Sequence, residues 1–136
     1  MTQNTPKRIY LCGPIMDCKL TETKDWRTRA KERLAGRFIL LDPMRRSFRD
    51  NEVDSANEIV EFDLQDIRDA DLILVNYSKP SVGTSMEVFY ASHDLGKFVI
   101  AFSPVDFKDC SPWMCRYCTK ITRDLDSAIT YVERHF

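Results

Sequence analysis

Apolar residues in this chain occur as short unbroken runs, separated by longer stretches in which they recur with helical spacing. Ile9-Tyr10-Leu11-Cys12 is one such run, and its end at Gly13-Pro14 predicts a buried strand that leads into a turn. Residues 21–34 are dense in charge yet carry Trp26, Ala30 and Leu34 at four-residue intervals ahead of Gly36, which is the pattern of a surface helix with one buried face. A second strand is predicted over 38–41 and closes at Asp42-Pro43. The polar stretch 44–55 that follows holds Arg45, Arg46 and Arg49 and shows no period, so a long loop is expected there. Loops of that length inside compact domains are often functional. A helix over 57–70, a strand over 72–75 and a turn region over 77–83 come next. A helix to Leu95 stopped by Gly96, a strand over 98–102 and a closing helix over 125–132 complete the pattern.

The strands lack polar alternation, so both faces of their sheet are covered, and their alternation with helices predicts parallel β-α-β units. The expected fold class is α/β: a doubly wound, mainly parallel five-stranded sheet, Rossmann-like or flavodoxin-like, with helices on both faces. Ligands of such sheets bind beyond the carboxyl ends of the strands. The turns after Cys12, Leu41, Val75 and Phe102 are therefore the places to look for chemistry.

Composition narrows the partners. With 136 residues, 43% hydrophobic and 30% charged, the chain is expected to be a single domain over 1–136. Its 20 basic and 21 acidic residues leave a net charge of −1, which supplies no bulk attraction for a nucleic-acid polymer or a membrane surface. No apolar run approaches the ~20 residues of a membrane span. The opening residues lack a secretory hydrophobic segment, so a cytoplasmic location is expected. Five cysteines are then read as reduced thiols. Cys110, Cys115 and Cys118 are spaced somewhat like zinc ligands, but a fourth ligand would have to come from Cys12, Cys18, His93 or His135, and no metal is expected.

Two carboxylates stand out by their placement. At 100° per residue, Asp63 falls among Ile59, Val60, Ile67 and Ala70 on the apolar face of its helix, with Leu64 just beyond and Glu61, Gln65 and Arg68 opposite. A buried carboxylate must be paired, hydrogen-bonded or protonated. Glu87 lies between Tyr90 and Ala91 on the next helix, and two readings of it stay open. Thr84-Ser85-Met86-Glu87 has the form of a capping box, in which Thr84 caps the helix and Glu87 reaches back to its backbone. Alternatively, Glu87 faces a site. The small and hydroxylated residues around Ser81, Gly83 and Thr84 suit an anion at a helix start, although no Walker loop or dinucleotide fingerprint is present.

Together these residues resemble the nucleoside 2-deoxyribosyltransferase superfamily, which includes nucleoside 5′-monophosphate N-glycosidases. Ile9-Tyr10-Leu11-Cys12-Gly13-Pro14 is similar to its first-strand motif, and Leu41-Asp42-Pro43 to the element after its second strand. Asp63, with Ile67 and Ala70-Asp71, is similar to its central helix. Gly83-Thr84-Ser85-Met86-Glu87-Val88-Phe89-Tyr90-Ala91 resembles its catalytic motif, and Ser111-Pro112-Trp113 a late element. The departures are the cysteine-rich tail and Val88-Phe89, where relatives often carry smaller residues.

The resemblance implies catalytic roles for Glu87, Asp63 and Tyr10: Glu87 as the nucleophile at C1′ of the sugar, Asp63 as the carboxylate that orients the sugar hydroxyls, and Tyr10 as the tyrosine beside the nucleophile. It implies substrate-binding roles for Gly13, Pro14, Asp42, Ser81, Gly83, Thr84 and Trp113. It implies no metal or organic cofactor, a nucleoside or nucleotide substrate with a free base as product, and a homo-oligomer of two or more copies. Relatives that act on free nucleosides commonly carry an acid where Ser81 stands, six positions before the glutamate. Serine favours a 5′-phosphate, which an aspartate would repel. A transferase acting on free deoxynucleosides and a noncatalytic nucleotide-binding module are the competing expectations.

Overall fold

The structure is a computed structural model and describes residues 5–16, 18–46, 54–105 and 109–136. The strands are β1 (Arg8–Cys12), β2 (Ile39–Leu41), β3 (Leu72–Asn76), β4 (Phe98–Phe102) and β5 (Lys120–Thr122), and the apolar runs of the inner three, β1, β3 and β4, are buried on both faces. They form one sheet in the order β2-β1-β3-β4-β5 with every pairing parallel. The central β3 is buried at every position, whereas the edge strands β2 and β5 are three residues long and leave little unpaired backbone.

Helices α1 (Leu20–Leu34) and α5 (Leu125–His135) cover one face, where Trp26, Ala30 and Leu34 pack with Ala128, Ile129 and Val132 over Ile9, Leu11, Leu72 and Leu74. Helices α2 (Ala56–Asp69), α3 (Val82–Phe89) and α4 (Pro112–Tyr117) cover the other, where Ile67, Val88, Ala91 and Met114 meet Tyr10, Cys12, Ile73 and Val75. The order in which strands are added therefore reverses between β1 and β3. That is where an open α/β sheet leaves a crevice at its carboxyl edge.

The elements predicted from the pattern are present, with two additions. Neither α4, six residues long, nor β5, whose Lys120-Ile121-Thr122 offers a single apolar residue, carries a readable period. The expected loop after β2 begins as a 3-10 turn, Pro43–Arg45, in which the Asp42 side chain accepts from Met44 N at 2.8 Å. Arg49 lies outside the described residues. Among the described residues no helix is long and apolar enough to cross a membrane.

One glycine explains how tightly the end of β1 is built. A Cβ on Gly13 would stand 2.9 Å from Trp26 Cζ2 and 3.2 Å from Asn76 Cβ, so only glycine lets α1 and β3 close on this turn. Arg27, 1% exposed, then ties the turn down by donating to Gly13 O at 3.2 Å, Leu11 O at 3.4 Å and Thr23 O at 2.6 Å. A buried guanidinium of this kind needs such acceptors and a counter-charge. Asp42 provides the charge at 3.6 Å.

Candidate active site

Helix α3 starts earlier than the capping-box reading requires. Ser81 is extended (φ −149°, ψ 128°) and its hydroxyl accepts from Thr84 N at 3.3 Å, so Ser81 is the cap and Thr84 sits three residues into the helix. Glu87 is then six residues past the cap, beyond reach of the first-turn backbone, and the capping box is overturned. The Glu87 side chain instead points back to β1. Tyr10 Oη donates to its Oε2, and the Cys12 thiol lies 3.7 Å from its Oε1. The two alternate positions of β1 that face this side of the sheet thus both hold the one carboxylate.

The electrostatics follow from that setting. Burial, reinforced by the neighbouring charge of Asp63, pushes the Glu87 carboxyl up to about 8, against the opposing pull of Tyr10, Cys12 and Arg27. Burial and Glu87 together raise the Tyr10 phenol and the Cys12 thiol well above their ordinary values, so both stay protonated and act as donors. Perturbed groups gathered in a cleft mark a functional site.

Above Glu87 opens a cavity of about 580 Å³ whose wall includes Gly13, Asp42, Asp63, Ser81, Gly83, Thr84 and Glu87. Sequence reasoning therefore brought together seven residues that line one space, with Tyr10 directly beneath it. Pro14 is buried beside Gly13 and does not line the cavity. Asp42 is engaged by the protein itself, paired with Lys31 Nζ at 2.6 Å. At the start of α3, a Cβ on Gly83 would meet nothing within 4 Å, and the Thr84 hydroxyl is buried without a hydrogen-bond partner among the described residues.

Asp63 lies across the cavity on α2, half-buried rather than buried. The apolar face drawn from the sequence is correct for Ile67, yet Val60 is 51% exposed, because the first half of α2 overhangs the cavity instead of the core. Two arginines of the polar stretch marked out after β2, Arg45 and Arg46, complete this wall. Arg46 Nη2 is 3.2 Å from Asp63 Oδ1 and 2.8 Å from Asp66 Oδ2, and Arg45 Nη2 is 2.7 Å from Asp66 Oδ1. Asp66 stands one helical turn from Asp63, a spacing visible in the sequence; its arginine partners, 20 and 21 residues upstream, are not.

On the other side of Glu87 and Asp63 runs an apolar groove of about 770 Å³, walled by Val60, Met86, Phe89, Trp113, Met114 and Tyr117 among others. Trp113, 67% exposed, lies in this groove and not in the polar cavity. Ile59, Val60, Asp63, Gly83 and Glu87 border both spaces. The remaining cysteines make no comparable site. Among the described residues no group of three His, Cys, Asp or Glu side chains is arranged to hold a metal ion.

A helix thus presents one carboxylate at the carboxyl edge of the parallel sheet, across the cavity from a second. The family model for nucleoside 2-deoxyribosyltransferase matches residues 9–113, and the chain belongs to that family, whose members act on nucleosides or nucleotides. Solved structures agree on the fold. A 2-deoxyribosyltransferase from Bacillus psychrosaccharolyticus is similar at a TM-score of 0.72 and 18% identity, with 91% of each chain covered. The Clostridium botulinum CMP N-glycosidase BcmB is similar at 0.64 and 17%, over 96% of this chain and 100% of its own. The DrrB receiver domain is similar at 0.62 and 9%, over 96% and 97%. That last likeness shows that the fold alone carries no single activity. No curated protein matches the sequence.

Proposed function

We propose that the protein hydrolyses the N-glycosidic bond of (2′-deoxy)nucleoside 5′-monophosphates through Glu87. An oxygen of the Glu87 carboxylate bonds to C1′ as the C1′–N bond breaks. The base leaves with that electron pair and takes up a proton. Water then attacks the glycosyl ester, freeing the sugar 5-phosphate and restoring Glu87. The transition state carries positive charge on the sugar ring, which a carboxylate fixed by two donors stabilises without reorganising. Asp63, on the opposite wall, is read as the group that holds the sugar hydroxyls.

The start of α3 carries the phosphate reading. Ser81 is uncharged, Gly83 leaves open space, and the buried Thr84 hydroxyl lacks a partner among the described residues. A phosphate at this point would receive hydroxyl and backbone donors from a helix N-terminus. The apolar groove beside Glu87 is read as the seat of a second copy, making the enzyme a homo-oligomer.

The test is a chromatographic screen for free base across ribo- and deoxynucleosides with and without 5′-phosphate. Base release from monophosphates alone is expected, and Glu87→Ala should reduce it by about 10,000-fold or more while leaving the circular dichroism spectrum native. Base exchange on free deoxynucleosides would establish a transferase instead, and unchanged activity in Glu87→Ala would remove the mechanism.

A further inference from the structure

Arg45, Arg46, Asp63 and Asp66 form a cluster of two guanidinium groups and two carboxylates at the wall of the cavity. Its members are unequally exposed. The Asp66 side chain is 8% exposed and does not line the cavity, so it cannot serve a ligand. The Arg46 side chain is 17% exposed, packs its guanidinium 5.0 Å from the centre of the Phe62 ring, and bridges Asp66 Oδ2 and Asp63 Oδ1 through one nitrogen, Nη2. Arg45 fixes the far side of Asp66 and is itself anchored by donating to Asp42 O at 2.8 Å. The cluster is close to neutral, and its positive charge is therefore not free to bind phosphate.

We propose that Arg46, clamped by Asp66, is a positioning residue that holds Asp63 by a single oxygen across the cavity from Glu87. The inference rests on the reading of Glu87 and Asp63 as the reacting pair. Arg46 touches neither Glu87 nor Tyr10, so its influence passes through Asp63.

The consequence has a definite sign. Burial makes Asp63 hard to ionise, and the hydrogen bond and charge of Arg46 oppose that effect. The groups facing Asp63 are Arg46, Asp66 on its own helix, Arg27 from α1, Glu87 from α3, and Tyr10 and Cys12 from β1. Those facing Glu87 are Asp63, Tyr10 and Cys12 from β1, and Arg27. Without Arg46, Asp63 keeps its proton to higher pH. Over that interval Glu87 loses its negative neighbour and ionises at lower pH.

The measurement is a carboxyl ¹³C NMR titration of the ligand-free protein, with Asp63 and Glu87 assigned from Asp63→Asn and Glu87→Gln. In Arg46→Met the Asp63 midpoint should rise by about one unit, as expected for loss of an opposite charge at contact distance, and the onset of Glu87 ionisation should fall. Arg46→Lys should restore most of the Asp63 midpoint. Arg46→Gln, which keeps an N–H donor for Asp63 but removes the charge, should raise the Asp63 midpoint by less than Arg46→Met, and it decides the matter if Arg46→Met does not fold. Unchanged midpoints in a folded variant would overturn the role of Arg46. The titration needs no substrate, so a wild type that releases no base from any nucleotide would defeat the catalytic reading while the NMR result still judges this one.

Discussion

A carboxyl with a pKa of about 8 holds its proton at neutral pH, and for Glu87 this follows from burial and the charge of Asp63. Two observables should then run in opposite directions with pH. The nucleophile must be ionised, so kcat/KM should rise through about pH 8. Stability should fall from about pH 4.5 to about 8, because in that interval the native state binds a proton that the unfolded chain has released. Glu87→Gln removes that linkage. Its melting temperature should match wild type near pH 5 and exceed it at pH 9; equal values at both pH values would show that the Glu87 carboxyl is not perturbed. The sequence exposed this residue only halfway. Helical phasing put Glu87 on an inward face, but its partners Tyr10 and Cys12 lie 77 and 75 positions away, and only the family resemblance linked Tyr10 to it.

At the scale of the element, α3 shows how a local template can mislead. Thr84-Ser85-Met86-Glu87 matches the capping-box spacing, yet Ser81 after Pro80 already provides an extended residue with a cap oxygen, and the helix begins there. The same helix ends in a wide turn, Tyr90–Asp94, where Leu95 N bonds Tyr90 O at 3.2 Å before Gly96 turns out at φ 62°. Such turns are common near functional sites. The early start is what makes Ser81 both a helix cap and a wall of the cavity. Because aspartate caps helices about as well as serine, Ser81→Asp separates these two uses. The melting temperature should hold, while kcat/KM for a 5′-monophosphate should drop by about tenfold or more through charge repulsion. An unchanged kcat/KM would assign Ser81 to the helix alone.

The whole molecule was the most legible level. Unbroken apolar runs alternating with amphipathic stretches specify a parallel sheet covered on both faces, and the crevice at its carboxyl edge follows from that topology. What the pattern could not show is that one face of the sheet carries three helices whose outer side is still apolar. Met86 is 68% exposed and Trp113 is 67% exposed, on the groove that borders both Glu87 and Asp63. A large tryptophan in such a groove is a typical interface anchor, worth about 2 kcal/mol or more when buried against a partner. A net charge of −1 sets up little long-range repulsion between two copies. Light scattering should find wild type as a dimer or larger assembly, and Trp113→Glu should shift it to monomer. Base release should fall with it, since the groove and the cavity share Glu87 and Asp63 as a common wall. A wild type that stays monomeric at micromolar concentration and is fully active would leave the groove to another use, and would show that one copy alone builds the whole site.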